Sequence, residues 1–139
     1  MIIPGIHHVT AIAGDAQRNL DFYTGVLGLR LVKLTVNYDA PDTYHLYYGD
    51  GQGRPGTILT FFPWPGAPRG RLGTGQATLV SFSVPALSLD YWQQRLSERG
   101  IEARGSYQRF GEASIKFADP DGLPLELVAN GDSDSQFVW

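Results

Sequence analysis

One arrangement of secondary structure occurs twice in succession along this chain of 139 residues. In each half, a β-branched apolar strand precedes an amphipathic helix that ends at a glycine, and three further strand-like runs follow the helix. The halves also close alike, because Tyr48–Asp50 and Phe117–Asp119 both precede a loop with Gly and Pro and then a final apolar run. We infer an internal duplication with a period of about 70 residues.

The duplication divides the chain into two βαβββ modules, at 4–65 and 76–130. Between them, 66–75 is rich in Gly, Pro and Arg and lacks periodicity, which predicts a linker, and a polar tail covers 131–139. The elements predicted for the first module are a strand at 6–13, a helix at 16–27 and strands at 30–38, 43–48 and 57–62. Those of the second module are a strand at 78–84, a helix at 88–99 and strands at 101–106, 114–117 and 123–128.

A single module cannot cover its own core, so the two modules are expected to bury their apolar faces together. The sequence therefore predicts an α+β fold in one domain, 1–139, with two βαβββ modules forming a cup-shaped mixed sheet that offers a ligand site. The helix residues expected to pack onto the sheets are Leu20, Phe22, Val26, Leu89, Trp92 and Leu96. The residues expected to face the cup are His8, Thr10, Thr60 and Glu126.

The composition narrows the possible functions. With 11 basic and 14 acidic side chains the net charge is only -3, which gives no electrostatic footprint for nucleic acid or an anionic membrane surface. Cysteine is absent, which excludes disulfides, thiolate metal sites and cysteine nucleophiles. We expect a cytoplasmic protein, because a reducing compartment fits this composition and neither a secretory signal nor a membrane-spanning apolar run is visible.

Two histidines and one carboxylate are unexpected polar residues in apolar strands. Strand alternation puts His8 and Thr10 on one face and His7 on the other, so one imidazole can point into the cup. Glu126 points away from its leucine neighbours, and charged groups are rarely buried unless paired or metal-bound. Two His and one carboxylate suit non-haem Fe(II), or Zn, Ni or Mn in hydrolytic or isomerase chemistry. The structural alternatives are a hydrogen-bonded strand histidine and a solvent-facing glutamate.

The remaining candidates favour structural roles. His45 lies in the aromatic run Tyr44–Tyr48, which is typical of packing with a polar tip, and Phe61–Trp64 is typical of core. Arg69 and Arg71 could clamp an anionic substrate, but basic residues beside glycines are more often solvated. No Gly-x-Ser-x-Gly elbow, phosphate loop or dinucleotide fingerprint is present.

Five motifs, spread over nearly the whole length, give the chain a resemblance to a known family. They are Gly5–Thr10, Asn19–Tyr23, Leu27–Lys33, Tyr44–Asp50 and Pro55–Pro63. Together they are similar to the N-terminal domain of hydroquinone-type ring-cleaving dioxygenases, in the vicinal-oxygen-chelate (glyoxalase, bleomycin resistance and dioxygenase) superfamily. The resemblance implies the glyoxalase/dioxygenase fold, Fe(II) or Mn(II) as cofactor, and a dihydroxylated aromatic ring and O2 as substrates.

The resemblance also implies roles for individual residues. His8 matches the metal-binding histidine of the first strand, and His7 and Thr10 match catalytic pocket residues close to the metal. In single-domain relatives such as glyoxalase I, four equivalent positions bind the metal, and in this chain they are His8, Thr60, Leu79 and Glu126. Leucine cannot bind a metal and threonine is a poor ligand, so His8 and Glu126 remain as candidate ligands.

Two interpretations of this incomplete ligand set follow. The chain is either the N-terminal half of a longer dioxygenase, whose second domain supplies the other ligands, or a stand-alone domain whose homodimer assembles a reduced site. The polar tail favours the first, because it is typical of a linker that has been cut short. The alternative functions are a metal-free module that sequesters a small aromatic ligand and a glyoxalase-like metal-dependent lyase or isomerase. The number of metal ligands separates the enzyme from the binding module.

Overall fold

A computed structural model of the chain describes residues 5–130, apart from the side chains of residues 106 and 109. The predicted tail at 131–139 and the first residue of the 4–65 module lie outside the described residues. Two compact units divide between Pro68 and Arg69, within the predicted linker. The helices are α1 (Ala16–Leu20) and α2 (Leu89–Glu98), and a π-helical stretch (Asp21–Val26) follows α1. The strands are β1 (His8–Ala13), β2 (Arg30–Val36), β3 (Tyr44–Gly49), β4 (Ile58–Pro63), β5 (Val80–Pro85), β6 (Arg104–Arg109), β7 (Glu112–Ala118) and β8 (Pro124–Asn130).

The first unit contains a four-stranded mixed sheet in the order β1-β4-β3-β2. β1 runs parallel to β4, and the other neighbours are antiparallel. One face of this sheet is the core, where Tyr23 of the π-helical stretch stacks on Tyr48 with ring centroids 5.1 Å apart and contacts Phe61 at 4.7 Å. All three rings are fully buried. The opposite face is therefore left for polar side chains.

The second unit repeats this topology in the order β5-β8-β7-β6, again with its first and last strands parallel. The repetition confirms the predicted βαβββ duplication and the α+β class. The residues predicted to pack helix onto sheet are all buried or half-buried: Leu20, Phe22, Val26, Leu89, Trp92 and Leu96. Within the described part of the chain, no helix is long and apolar enough to cross a membrane.

The first helix differs from its prediction as a continuous α-helix at 16–27. α1 ends at Leu20, and the wider turns that follow are closed by the Leu27 amide donating to the Phe22 carbonyl at 3.2 Å. The Thr24 hydroxyl donates to the Leu20 carbonyl at 2.7 Å, which competes with the helical ladder for that acceptor. Both Phe22 and its sequence neighbour Tyr23 are buried within these wider turns.

Three strands begin two or more residues later than predicted. β1 begins at His8 instead of residue 6, β5 at Val80 instead of residue 78, and β6 at Arg104 instead of residue 101. After α2, Gly100 adopts a φ of 70°, and the Ile101 amide donates back to the Leu96 carbonyl at 2.9 Å. This helix-terminating turn uses Ile101, so the chain cannot become extended until later.

The turns from β3 to β4 and from β7 to β8 are built alike around an aspartate. Asp50 Oδ1 accepts from the backbone amides of Gln52 and Arg54 at 3.0 and 3.1 Å. Asp119 Oδ1 accepts from the amides two and four residues later at 2.9 and 2.8 Å. Burial alone would raise the pKa of Asp50, but hydrogen bonds from Arg54 and Gln52 outweigh it and lower that pKa. The repeated aspartate thus fixes how the chain enters β4 and β8.

Candidate functional site

Two histidines meet at the start of β1. His7 and His8 are both exposed, their Nδ1 atoms lie 3.1 Å apart, and their rings meet edge to face. The expected alternation of faces does not extend to His7, because β1 begins only at His8. One Nδ1 donates and the other accepts, since a neutral imidazole carries one group of each kind. This contact leaves the Nε2 atoms for other partners.

The next residue on the His8 face of β1 is Thr10. The strand register pairs Thr10 with Thr60 of β4, and the Thr60 hydroxyl donates to Thr10 Oγ1 at 2.9 Å. Thr60 is fully buried, whereas Thr10 is exposed. Three residues predicted to face a ligand, His8, Thr10 and Thr60, therefore share one face of the first sheet.

Strand β3 adds His45 and Tyr47, for which the sequence favoured packing roles. His45 Nε2 lies 3.1 Å from Thr60 Oγ1, and His45 Nδ1 lies 2.9 Å from the Tyr47 hydroxyl. The ring of His45 also packs on Phe62 with centroids 3.9 Å apart, which agrees with the aromatic packing predicted. The hydrogen bonds of His45 and Tyr47 were not predicted from the sequence. The signal for them was the alternation along β3, which places both residues on the face opposite their buried neighbours.

We call His8, Thr10, Thr60, His45 and Tyr47 the polar face of the first sheet. Burial lowers the pKa of His45, and the positive charges of His8 and Lys33 lower it further. The ring is therefore neutral near pH 7, with one nitrogen donating and one accepting. The polar face thus combines exposed imidazole and hydroxyl groups with a hydrogen-bonded support behind them.

The second unit carries a buried carboxylate on β8. Glu126 is fully buried, and its oxygens accept hydrogen bonds from Ser81 Oγ at 2.7 Å and Ser114 Oγ at 2.8 Å. Lys116 Nζ lies 3.9 Å from the oxygen that Ser114 contacts. Neighbouring strands supply all three partners, so the carboxylate is compensated within its own sheet.

The strand registers make the two units comparable residue by residue. Thr10 pairs with Thr60 across the parallel strands of the first unit, and Ser81 pairs with Glu126 across those of the second. Thr60 and Glu126 are therefore equivalent, in agreement with the alignment of the halves. Leu79, the equivalent of His8, precedes β5 and is an apolar, half-buried side chain.

The donor groups allow a test of the implied metal. His8 fits a ligand, because its ring is exposed and its Nδ1 has a hydrogen-bond partner, the arrangement that orients metal-binding histidines. Glu126 fits poorly, because it is fully buried and is hydrogen-bonded within its own sheet. Among the described residues of either unit, no group of three His, Asp or Glu side chains could hold a metal ion. Within each unit, the described residues therefore form no complete metal site, and His8 is the residue whose surroundings fit a ligand.

The two arginines of the predicted linker do not form a shared site in the structure. Arg69 donates to the Pro120 carbonyl at 3.3 Å, which ties it to the β7–β8 turn of the second unit. Arg71 is exposed. The anion clamp, which the sequence left as the less favoured alternative, therefore has no support in these contacts.

Comparison with known proteins finds a matching protein family and similar individual proteins. The sequence profile of the Glyoxalase/Bleomycin resistance protein/Dioxygenase superfamily matches residues 5–127. The chain is 51% identical over 135 residues to the Bacillus subtilis (strain 168) protein named "Putative ring-cleaving dioxygenase MhqO", covering 97% of this chain and 43% of that protein. It is 40% identical over 138 residues to the chlorohydroquinone/hydroquinone 1,2-dioxygenase of Sphingobium indicum, with coverages of 97% and 43%.

A solved crystal structure is also similar to this chain. The crystal structure of a "putative dioxygenase" from Bacillus subtilis superposes with a TM-score of 0.87 at 53% identity, covering 91% of this chain and 40% of that chain. This chain thus spans less than half the length of these relatives. The sequence match over residues 5–127 shows that the chain belongs to the Glyoxalase/Bleomycin resistance protein/Dioxygenase superfamily.

Proposed function

We propose that this chain is the N-terminal half of a metal-dependent ring-cleaving dioxygenase that opens hydroquinone-type or catechol-type aromatic rings with O2. The observation that carries the proposal is the contact between the two exposed imidazoles of His7 and His8, at the end of a face that also presents Thr10. The similarity to a chlorohydroquinone/hydroquinone 1,2-dioxygenase over 97% of the chain supports the choice of substrate class.

In this proposal His8 is the one metal ligand that the chain provides. Its Nδ1 is engaged by His7, so Nε2 is the atom that would hold Fe(II) or Mn(II). A bound Fe(II) or Mn(II) ion would supply the binding of the substrate oxygens and the activation of O2. A facial triad needs three ligands, and the other two would come from a second domain of the parent protein or from the partner in a homodimer.

The neighbours of His8 provide proton transfer and orientation. His7 Nδ1 holds the ring of His8, and its Nε2 is the atom that would take a proton from, or return one to, a substrate hydroxyl. Thr10 presents its hydroxyl two residues further along the same face. We assign Glu126 a structural role, because it is fully buried and accepts hydrogen bonds from Ser81 and Ser114 of its own sheet.

The test uses the 139-residue chain alone and a hybrid in which it replaces the matching 135 residues of the MhqO relative. Both proteins are loaded anaerobically with Fe(II) or Mn(II), and O2 uptake is measured with hydroquinone, chlorohydroquinone and catechol. We expect turnover from the hybrid, and weak metal binding with little or no turnover from the chain alone, because a single good ligand leaves the coordination sphere mostly to water.

His8→Ala in the hybrid should lower the bound metal and abolish ring cleavage, whereas Tyr38→Ala, at an exposed turn position, should change neither. Full metal occupancy in the chain alone, with turnover near a typical enzyme rate of about 10 per second, would show that the chain or its dimer forms a complete site. Hydroquinone binding by a metal-free chain, without turnover from the hybrid, would favour the sequestering module instead. Gel filtration of the chain separates the monomer from the homodimer.

A further inference from the structure

We infer that His45 is a positioning residue, which acts through Thr60 to fix the Thr10 hydroxyl as a hydrogen-bond donor to a substrate oxygen beside His8. The inference rests on the proposed function, because the recipient of that hydrogen bond is the proposed substrate. The observation that carries it is an unbroken series of three hydrogen bonds across the polar face, from Tyr47 to Thr10.

Because each hydroxyl and the neutral imidazole have a single proton, the direction of one bond determines the direction of the others. Thr60 has one hydroxyl proton and donates it to Thr10 Oγ1 at 2.9 Å. His45 Nε2, 3.1 Å from Thr60 Oγ1, must therefore be the donor in the next bond. A neutral imidazole that is protonated at Nε2 accepts at Nδ1, so the Tyr47 hydroxyl donates there at 2.9 Å. The whole series is thus compatible with a single tautomer of His45.

The consequence of this direction appears at Thr10. Its oxygen already accepts the proton of Thr60, so its own hydroxyl proton is available for another acceptor. Thr10 is exposed and lies on the same face as His8. A donor oriented in advance stabilises negative charge that develops on a substrate oxygen during the reaction. Without the proton from His45, Thr60 could accept from Thr10 instead, and Thr10 would lose its donor orientation.

Packing keeps the series in place. Thr60 is fully buried, so solvent does not compete with His45 for its hydroxyl while the imidazole is in place. The His45 ring lies between those of Tyr47 and Phe62, with centroid distances of 4.1 and 3.9 Å. These contacts restrict the ring, so that exchange of its two nitrogens requires repacking. A pair of threonines without such support would exchange donor and acceptor freely.

The first test measures the tautomer and needs no activity. Nitrogen-15 NMR of the histidine-labelled 139-residue chain near pH 7.5 should show His45 neutral, protonated at Nε2 and unprotonated at Nδ1. Tyr47→Phe removes the donor to Nδ1 and Thr60→Val removes the acceptor from Nε2, so each should raise the population of the other tautomer. A His45 ring protonated at Nδ1 in the unaltered chain overturns the inference, whatever the activity.

The second test measures turnover in the metal-loaded hybrid. Thr60→Val should lower kcat about ten-fold, the effect of one lost hydrogen bond, with little change in KM. Thr60→Ser should restore kcat, because it keeps the hydroxyl. His45→Gln should retain part of it, because the amide can still donate to Thr60. Thr60→Val should have no further effect when Thr10→Val is already present. Tyr44→Phe, at an exposed position on the same strand, is the matched control.

The outcomes separate the inference from the proposed function. If the Thr60→Val hybrid folds and turns over as the unaltered hybrid does, the inference is wrong while the dioxygenase stands. If Thr60→Val and Thr60→Ser lose kcat equally, Thr60 has only a packing role and the inference is also wrong. If the expected tautomer is found but the unaltered hybrid loads metal and never consumes O2, the proposed function fails, and with it the assignment of the substrate as recipient.

Discussion

Thr60 and Glu126 occupy the same position in their respective sheets, yet one is a hydroxyl and the other a carboxylate. Each is fully buried on the last strand of its unit, opposite a hydroxyl residue of the parallel neighbouring strand. Thr60 donates to Thr10, whereas Glu126 accepts from Ser81. The duplication has therefore kept a buried polar position in both units, while the direction of its hydrogen bond to the parallel neighbouring strand has reversed.

Removing the carboxylate of Glu126 should destabilise the second unit. We expect Glu126→Ala to lower the free energy of unfolding by about 3 kcal/mol, because two serine hydroxyls lose their acceptor and a cavity remains. Glu126→Gln should cost less, since one amide oxygen still accepts. Urea unfolding measures both variants, with Ser83→Ala, at an exposed position on β5, as the control. An Ala variant as stable as the control would show that Ser81 and Ser114 do not depend on Glu126.

Much of the fold could be predicted from the sequence because the duplication repeats local signals. Apolar alternation predicted the strands, and glycine stops predicted the helix ends, as at Gly100. The π-helical stretch could not be predicted, because it depends on Thr24 taking the Leu20 carbonyl and on burying Tyr23 against the sheet. This competition for the carbonyl depends on tertiary packing, and the helical spacing of apolar residues gives no information about it.

The candidate site was only partly predictable for a related reason. His8 and Thr10 are two residues apart on one strand, so alternation alone places them together. The partners of Thr60 and Glu126 come from neighbouring strands that are far away in sequence, so their contacts depend on strand register. The proposed role of His45 could not be predicted, because it depends on the register of its strand against β4 and on which neighbouring groups can donate a proton to it or accept one from it.

The lowered pKa of His45 should make the chain less stable in mild acid. The unfolded chain binds a proton at His45 near the ordinary pKa of 6.5, whereas the folded chain does so only at lower pH. Between these values the unfolded state holds more protons, so stability rises with pH through this window and is lost as pH falls below about 6.5. Urea unfolding between pH 5 and 8 should show this slope, and His45→Gln should reduce it. A slope that the substitution leaves unchanged would contradict the assignment.

Asp50 should contribute stability that disappears only in stronger acid. Its folded pKa lies below the ordinary value of 3.8, so the contribution is complete above that value and is lost as pH falls through the folded pKa. Asp50→Asn removes the charge-assisted bond from Arg54 Nε and should cost about 1 kcal/mol at pH 7. The exposed Asp42→Asn should cost nothing measurable. A difference between the two variants that persists unchanged at pH 2 would be inconsistent with this origin.

The core of the first unit contains a polar pair whose removal should be less harmful than its disruption. Tyr48 donates its hydroxyl to Asn19 Oδ1 at 2.9 Å, and Asn19 Nδ2 is buried with no hydrogen-bond partner in the described part of the chain. Burial, reinforced by the negative charge of Asp21, raises the pKa of Tyr48, so the phenol remains protonated and a donor at any ordinary pH. Tyr48→Phe should cost about 1–2 kcal/mol of unfolding free energy, because the Asn19 oxygen then also lacks its partner.

Asn19→Leu in the Tyr48→Phe background should recover most of that loss, because replacing both polar partners by apolar groups of similar shape leaves no buried polar group unpaired. The double-mutant cycle of the two substitutions, measured by urea unfolding, should therefore give a coupling energy of about 1 kcal/mol or more. Additive effects would show that the Tyr48 hydroxyl and the Asn19 amide do not depend on each other. A double variant much less stable than Tyr48→Phe alone would mean that the Asn19 amide has a structural role that its unpaired Nδ2 conceals, for example in setting the change from α1 to the wider π-helical turns.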